Sequence, residues 1–271
     1  METLAEKYRS LQLLSLNAIS SCTCMLLTNT SNYKVHGTGV FIQIQDHYFL
    51  ISASHVFDRY RELFIPLSRD YEIIKPGGTT FYNNEANRDR DGVDVAVMKL
   101  DDYCVSNLLK RYNFLQAEDL AINHIFQNEE YYTFLGHPST RSKILWNTNI
   151  FNSTTFFHFS TPEKNEDYLK FDRNPAVNVV TSYNKKNAFN SKNNTFGTGP
   201  DLHGISGCGL WFTDPRDLST GIIKPKLTAI MTDWPIKNRS VIVGTRIDVI
   251  TGIIRKHLDV NFPESKILRV R

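Results

Sequence analysis

Gly204-Ile205-Ser206-Gly207-Cys208-Gly209, with Ser54-His55 and Asp94 far upstream, assembles three residue types that together make a nucleophile. A serine hydroxyl is weakly nucleophilic at neutral pH. It needs an imidazole to take its proton and a carboxylate to fix that imidazole's tautomer. His55, Asp94 and Ser206 supply base, orienting acid and nucleophile, in that chain order. The glycines around Ser206 free the backbone for a strained turn, in which the Gly204 and Ser206 amides can converge on a developing oxyanion. Taken singly, each residue has an ordinary role: a core or surface histidine, a strand-capping aspartate, a serine in a turn. The combination points to acyl transfer.

Such a site needs elements that carry distant residues to one place. Short β-branched and aromatic runs at 24–27, 39–44, 48–52 and 93–100 predict strands. Residues 39–54 read as a hairpin around Gln45-Asp46-His47, and its second strand delivers His55 at its far end. Asp94 opens the strand that follows Gly92, where a buried carboxylate would need an imidazole N–H as partner. Residues 106–126 read as mostly helical or loop-like. Strand character returns at 131–136, 144–159, 210–213, 227–232 and 240–245. Residues 184–200, rich in Asn, Lys, Ser and Gly, predict an exposed, mobile loop leading into the Ser206 turn and bordering a cleft. At the N-terminus, Leu11, Leu13, Leu14, Leu16 and Ile19 suit an amphipathic helix, an appendage over 1–21. Val249, Ile250, Ile253, Ile254 and Leu258 predict a surface helix over 248–258, followed by a tail at 259–271.

Three ordered motifs resemble the trypsin or chymotrypsin-like serine peptidases, including bacterial intracellular and HtrA-like relatives. Ser52-Ala53-Ser54-His55 is similar to their Thr-Ala-Ala-His, Asp94 to Leu100 to their Asp-Ile-Ala-Leu-Leu-Lys-Leu, and Gly204 to Gly209 to their Gly-Asp-Ser-Gly-Gly-Pro. The resemblance spans roughly 21–257. It implies an all-β fold with two six-stranded β-barrels, the first over about 22–125 and the second over about 126–247, with N- and C-terminal helices. It further implies His55 as base and then acid, Asp94 as orienter, Ser206 as nucleophile, and Gly204 with Ser206 as oxyanion donors. Thr232 matches the serine that braces the family's aspartate, and the Gly244 strand is similar to the one closing the specificity pocket. Pro200 stands where trypsin-type enzymes keep a pocket aspartate, so a plain trypsin pocket is not implied. Asp201, His203, Asp233 and Trp234 remain as candidate substrate contacts. Ile205 replaces the aspartate that receives a freshly cut N-terminus in zymogen-activated members, so that switch is expected to be absent.

Bulk properties narrow the partners. The 271 residues carry a formal charge of only +3 with no long cationic run, so neither nucleic acid nor an acidic partner is implied. The N-terminal segment suits neither a signal peptide nor a membrane span, and four scattered cysteines make no disulfide framework. A cytoplasmic protein is expected, with no membrane partner. Cys22-Thr23-Cys24 lacks a matching second pair, so no metal site is expected, and the chemistry requires no cofactor. His124, His137 and His158 have no ligand spacing, and Cys208 reads as a small core residue. The Gly-x-Ser-x-Gly elbow of α/β-hydrolases is matched only in part, because Cys208 breaks it. The expected activity is a serine endopeptidase making few cuts in a dedicated protein partner under regulation by a further protein, with bacterial stress or anti-phage defence among the roles. The alternative is a protease-fold binding module without turnover.

Overall fold

The structure is a computed structural model that describes residues 4–29, 33–68, 72–82, 92–127, 130–145, 150–153, 155–190, 195–236 and 238–268. It is mostly β, with two curled antiparallel sheets and few helices, an arrangement compatible with a double β-barrel of chymotrypsin-like type.

Helix α1 (Leu4–Ser21) leads into the first sheet. That sheet comprises β1 (Thr23–Asn29), β2 (Tyr33–Ile44), β3 (His47–Ser52), β4 (Leu63–Pro66), β5 (Ile73–Ile74), β6 (Gly78–Tyr82) and β7 (Ala96–Leu100). The strand order is β5-β4-β1-β2-β3-β7-β6, so this sheet has seven strands where six were expected. Helices α2 (Ser54–Phe57) and α3 (Asp102–Leu108) follow β3 and β7. The second sheet draws on β8 (Tyr132–Gly136), β11 (Phe156–Ser160), β12 (Asn178–Ser182), β15 (Gly209–Phe212), β16 (Lys226–Asp233) and β17 (Val241–Arg246), in the order β11-β8-β15-β16-β17-β12. Two small hairpins sit apart, β9 (Ser142–Leu145) with β10 (Ile150–Ser153), and β13 (Ala188–Asn190) with β14 (Thr195–Gly197). Helices α4 (Asp217–Thr220) and α5 (Ile247–His257) complete the order.

Alternation along the strands divides the core into layers. In β2, Val40, Ile42 and Ile44 face one apolar cluster while Phe41 faces another; in β3, Phe49 and Ile51 part from Leu50 in the same way. A strand buried on both faces reads as an unbroken apolar run, which is why these were the most legible segments. The largest cluster joins Val40, Ile42, Phe49 and Ile51 to Trp211 and Ile230 of the second sheet, so it lies between the sheets. Ile247, Ile250, Ile253 and Ile254 of α5 enter the same cluster, as do Val260 and Phe262 beyond it. The C-terminal segment is thus core and not a surface helix with a loose tail. At the other end, Ile19 reaches that cluster and Leu16 packs against it, whereas Leu13 and Leu14 are exposed, so the α1 stripe is buried only in part.

The segment 184–200 holds more structure than its composition predicts. A 3-10 turn (Lys185–Asn187) and the β13–β14 hairpin occupy it. Its base is tied by the Gly199 amide to the Lys185 carbonyl at 2.7 Å.

Candidate active site

The acid–base pair follows from strand register. β3 and β7 run antiparallel with Ser52 opposite Ala96, so continuing the pairing sets residue 54 opposite residue 94. The Ser54 amide donates to the Asp94 carbonyl at 3.3 Å, and the Ser54 hydroxyl donates to Asp94 Oδ1 at 2.7 Å. One residue on, the His55 amide reaches the same Oδ1 at 3.1 Å and the His55 Nδ1 lies 2.5 Å from Oδ2. Burial pushes the Asp94 carboxyl up, but hydrogen bonds from the His55 ring, the imidazole's charge, and bonds from Ser54 and the His55 amide outweigh it and leave the acid below its ordinary value. An ionised carboxylate only accepts, so His55 Nδ1 donates in this bond, which in a neutral ring leaves the lone pair on Nε2. The pair is partly open to solvent, with the His55 side chain 47% and the Asp94 side chain 29% exposed.

The serine turn is seated on the same sheet by a difference in strand length. β2 has 12 residues and β3 only 6, so β2 runs on past the end of its neighbour. In that overhang the Thr38 amide donates to the Ser206 carbonyl at 2.8 Å, and the Thr38 hydroxyl donates to the Gly204 carbonyl at 3.0 Å. The same hydroxyl accepts from the His137 amide at 3.1 Å, which brings the end of β8 to the turn. The β1–β2 register slips just before this point, since Leu26 faces Gly37 and Leu27 faces Val35, leaving His36 as a bulge residue. Gly37 is where the two halves of the site meet. A Cβ there would lie 2.7 Å from Val56 Cγ1, next to His55, and 3.3 Å from the Ser206 carbonyl.

Gly207 follows Ser206 at φ +90°, and a Cβ on it would lie 2.0 Å from Ser52 Oγ and 2.1 Å from the Thr38 carbonyl. Only glycine fits. Its amide donates to the Met231 carbonyl at 2.7 Å, anchoring the turn to β16. Around the turn, the Ile205 amide donates to the Leu202 carbonyl and the Cys208 amide to the Ile205 carbonyl. The Gly204 and Ser206 amides, by contrast, find no acceptor among the described residues. Two unspent donors flanking a half-buried serine can take up negative charge that develops on a substrate oxygen. The Ser206 hydroxyl makes no hydrogen bond to His55 among the described residues.

The other expected contacts divide. Asp201, His203 and Trp234 gather at one place: Asp201 pairs with Lys185 at 2.6 Å, and His203 sets its ring edge-on to Trp234 at 5.8 Å. Arg239 stacks on Trp234 and lies 4.0 Å from Asp201. Pro200 is buried, and its carbonyl accepts from the Tyr183 hydroxyl at 2.7 Å. Asp233 turns to Arg173 at 3.2 Å. Gly244 faces Met231 in the β16–β17 register. Thr232, expected to brace Asp94, is buried and donates to the Val243 carbonyl at 3.5 Å; the hydroxyl on Asp94 is that of Ser54. Cys208 is fully buried and its thiol is pushed far up by burial, which removes it as a nucleophile.

Sequence reading did not single out Ser54 as a carboxylate partner, nor Thr38 at all. Ser54 stood beside the histidine, but its target lay 40 positions away. Thr38, in Gly37-Thr38-Gly39, carried only the signal of a small, glycine-flanked strand segment. No protein-family model matches the chain, and no curated protein matches it. No helix among the described residues is long and apolar enough to cross a membrane.

Proposed function

We propose that this chain is a trypsin-like serine endopeptidase working through an acyl-enzyme. The observation that carries the reading is the approach on β2 of the His55–Asp94 pair and a serine turn whose Gly204 and Ser206 amides find no acceptor among the described residues. Ser206 Oγ adds to the peptide carbonyl as its proton passes to His55 Nε2, and Asp94 stabilises the imidazolium. The oxyanion is held by the Gly204 and Ser206 amides. His55 then protonates the leaving amine as the C–N bond breaks. In the second half, water gives its proton to His55 and attacks the ester, releasing the carboxylate and returning the proton to Ser206.

Limited cleavage of a dedicated cytoplasmic protein, under control of a regulatory partner, extends the proposal, and bacterial stress or anti-phage defence is one setting for it. Its support is a crowded surface near the serine turn, where the Lys185–Asp201–Arg239 charges and the Trp234–His203 rings stand beside the β13–β14 hairpin. The test is mapping of new protein N-termini after expressing wild type and Ser206→Ala. A short set of cleavages that vanishes in the variant, with turnover on a cognate peptide reduced by roughly 10⁵–10⁶, is the expected result. Equal cleavage by both forms would refute the mechanism, and a broad spray of unrelated sites would refute the dedicated partner.

A further inference from the structure

A cavity of about 380 Å³ lies behind the serine turn, between the C-terminal end of α1 and the first strands. Its walls include Met25, Arg111, Tyr112, Leu135, His137 and Thr155. The volume is that of a site for one small organic molecule. Among the described residues, no carboxylate lines it. Burial pulls the His137 imidazole down to about 4, so that ring is neutral at physiological pH. The Arg111 guanidinium is therefore the charge of the site, and among the described residues it pairs with no carboxylate, lying only over the Tyr112 ring at 5.5 Å.

Three hydroxyl protons in the wall are already committed. Ser21 Oγ donates to the Ala18 carbonyl at 2.7 Å, and Thr23 Oγ1 to the Ile19 carbonyl at 2.8 Å. Tyr112 donates to the Pro66 carbonyl at 2.7 Å. The first two bonds cap carbonyls at the end of α1, and the third caps one in β4, that would otherwise repel an anion, while each hydroxyl oxygen keeps a lone pair able to accept, Ser21 Oγ beside the bond it already accepts from Asn113. The fitting ligand carries an oxyanion for Arg111 and N–H or O–H donors on its body.

Three of the wall residues are also the back of the catalytic seat. Met25 is the register partner of Thr38, the residue that holds both the Gly204 and Ser206 carbonyls. Leu135 pairs with Gly209, at the exit of the serine turn. The His137 amide donates to Thr38 Oγ1, and its carbonyl lies 2.9 Å from where a Cβ on Gly204 would be. The cavity wall is therefore continuous with the residues that hold the Gly204 and Ser206 carbonyls.

We propose that this cavity is an effector site for a small organic anion, and that its occupancy adjusts the serine turn through Thr38 and His137. The regulatory half rests on the peptidase reading above; the binding half does not. The full chain is titrated calorimetrically with AMP, phosphoenolpyruvate, citrate and inorganic phosphate, alongside Arg111→Ala, the cavity-filling Thr155→Trp and, as a control, Ser206→Ala. Expected is micromolar binding of at least one organic anion, weakened tenfold or more in R111A and in T155W and unchanged in S206A. Binding of none of the four, or equal binding by R111A, overturns the site. The rate at which a fluorophosphonate labels Ser206 is then read with and without the bound anion, and a change of threefold or more is expected. An unchanged rate overturns the coupling. Binding without any labelling in either state sinks the peptidase reading and leaves the effector site standing.

Discussion

The two sheets contribute to the site in different ways. The first fixes its pair internally: antiparallel register sets residue 54 against residue 94, and three donors from Ser54 and His55 converge on one carboxylate. The second presents its serine on a turn that its own strand β16 holds through Gly207 and Cys208, but whose Gly204 and Ser206 carbonyls are held by Thr38 across the interface. The His55–Asp94 pair is thus a property of one sheet, while the place of Ser206 is a property of how two sheets dock. Damage to the first should abolish chemistry and spare the fold; damage at the seam should loosen the serine and spare the His–Asp pair.

Asp94→Asn tests the first half most severely. It presents an amide where His55 Nδ1–H requires an acceptor, and turnover on a cognate peptide should fall by about 10⁴. Loss of less than tenfold would remove Asp94 from the mechanism. Next in size is Gly207→Ala, whose methyl would collide with Ser52 Oγ and the Thr38 carbonyl at a positive φ. Strain and overpacking together should cost about 3 kcal/mol or more in denaturant unfolding, and a neutral result would mean that the turn is seated elsewhere.

Thr38→Val sharpens the contrast, because it deletes the hydroxyl that joins His137 to Gly204 and keeps the strand. Labelling of Ser206 by a fluorophosphonate should slow about 10- to 100-fold while stability falls by only about 1–2 kcal/mol. The downfield proton resonance of the His55–Asp94 hydrogen bond should persist. Disappearance of that resonance would show that the two halves of the site are not separable in this way. The smallest effect concerns pH. A carboxyl lowered by folding stabilises the native state above its ordinary pKa, and that contribution fades as pH falls through the lowered value. Wild type should therefore exceed D94N in unfolding free energy at pH 6, and the gap should begin to narrow only as pH falls below about 4, closing below the lowered value. A gap that stays constant into acid would place the effect in packing instead.

What the sequence revealed follows the same division. Strands β2, β3 and β7, buried on both faces, stood out as apolar runs, and the small residues before His55 marked a close-packed turn. Strands β4, β6 and β12 did not stand out: Leu63–Pro66 and Gly78–Tyr82 are short or polar, and Asn178–Ser182 lies among polar residues, so tertiary pairing decides their state. The apolar stripe of α5 was visible, but whether it faced water or the core was not, because strands β6, β7 and β16, on which it packs, are distant in the chain. The three chemical residue types were legible as types. The seating of the Ser206 turn on β2 depends on an overhang of β2 beyond β3 and a bulge at His36, neither of which leaves a pattern in a single segment. The substrate side was least legible, since loops set it: Thr232 went to Val243, and Asp233 to Arg173.

The central claim is that Ser206 is the activated hydroxyl. Wild type is treated with a fluorophosphonate, digested, and the adduct located by mass spectrometry. The expected result is a single phosphonate on the peptide carrying Ser206, strongly reduced when His55 is replaced by Ala and absent in S206A. An adduct on another residue, or labelling of Ser206 that ignores the loss of His55, would contradict it.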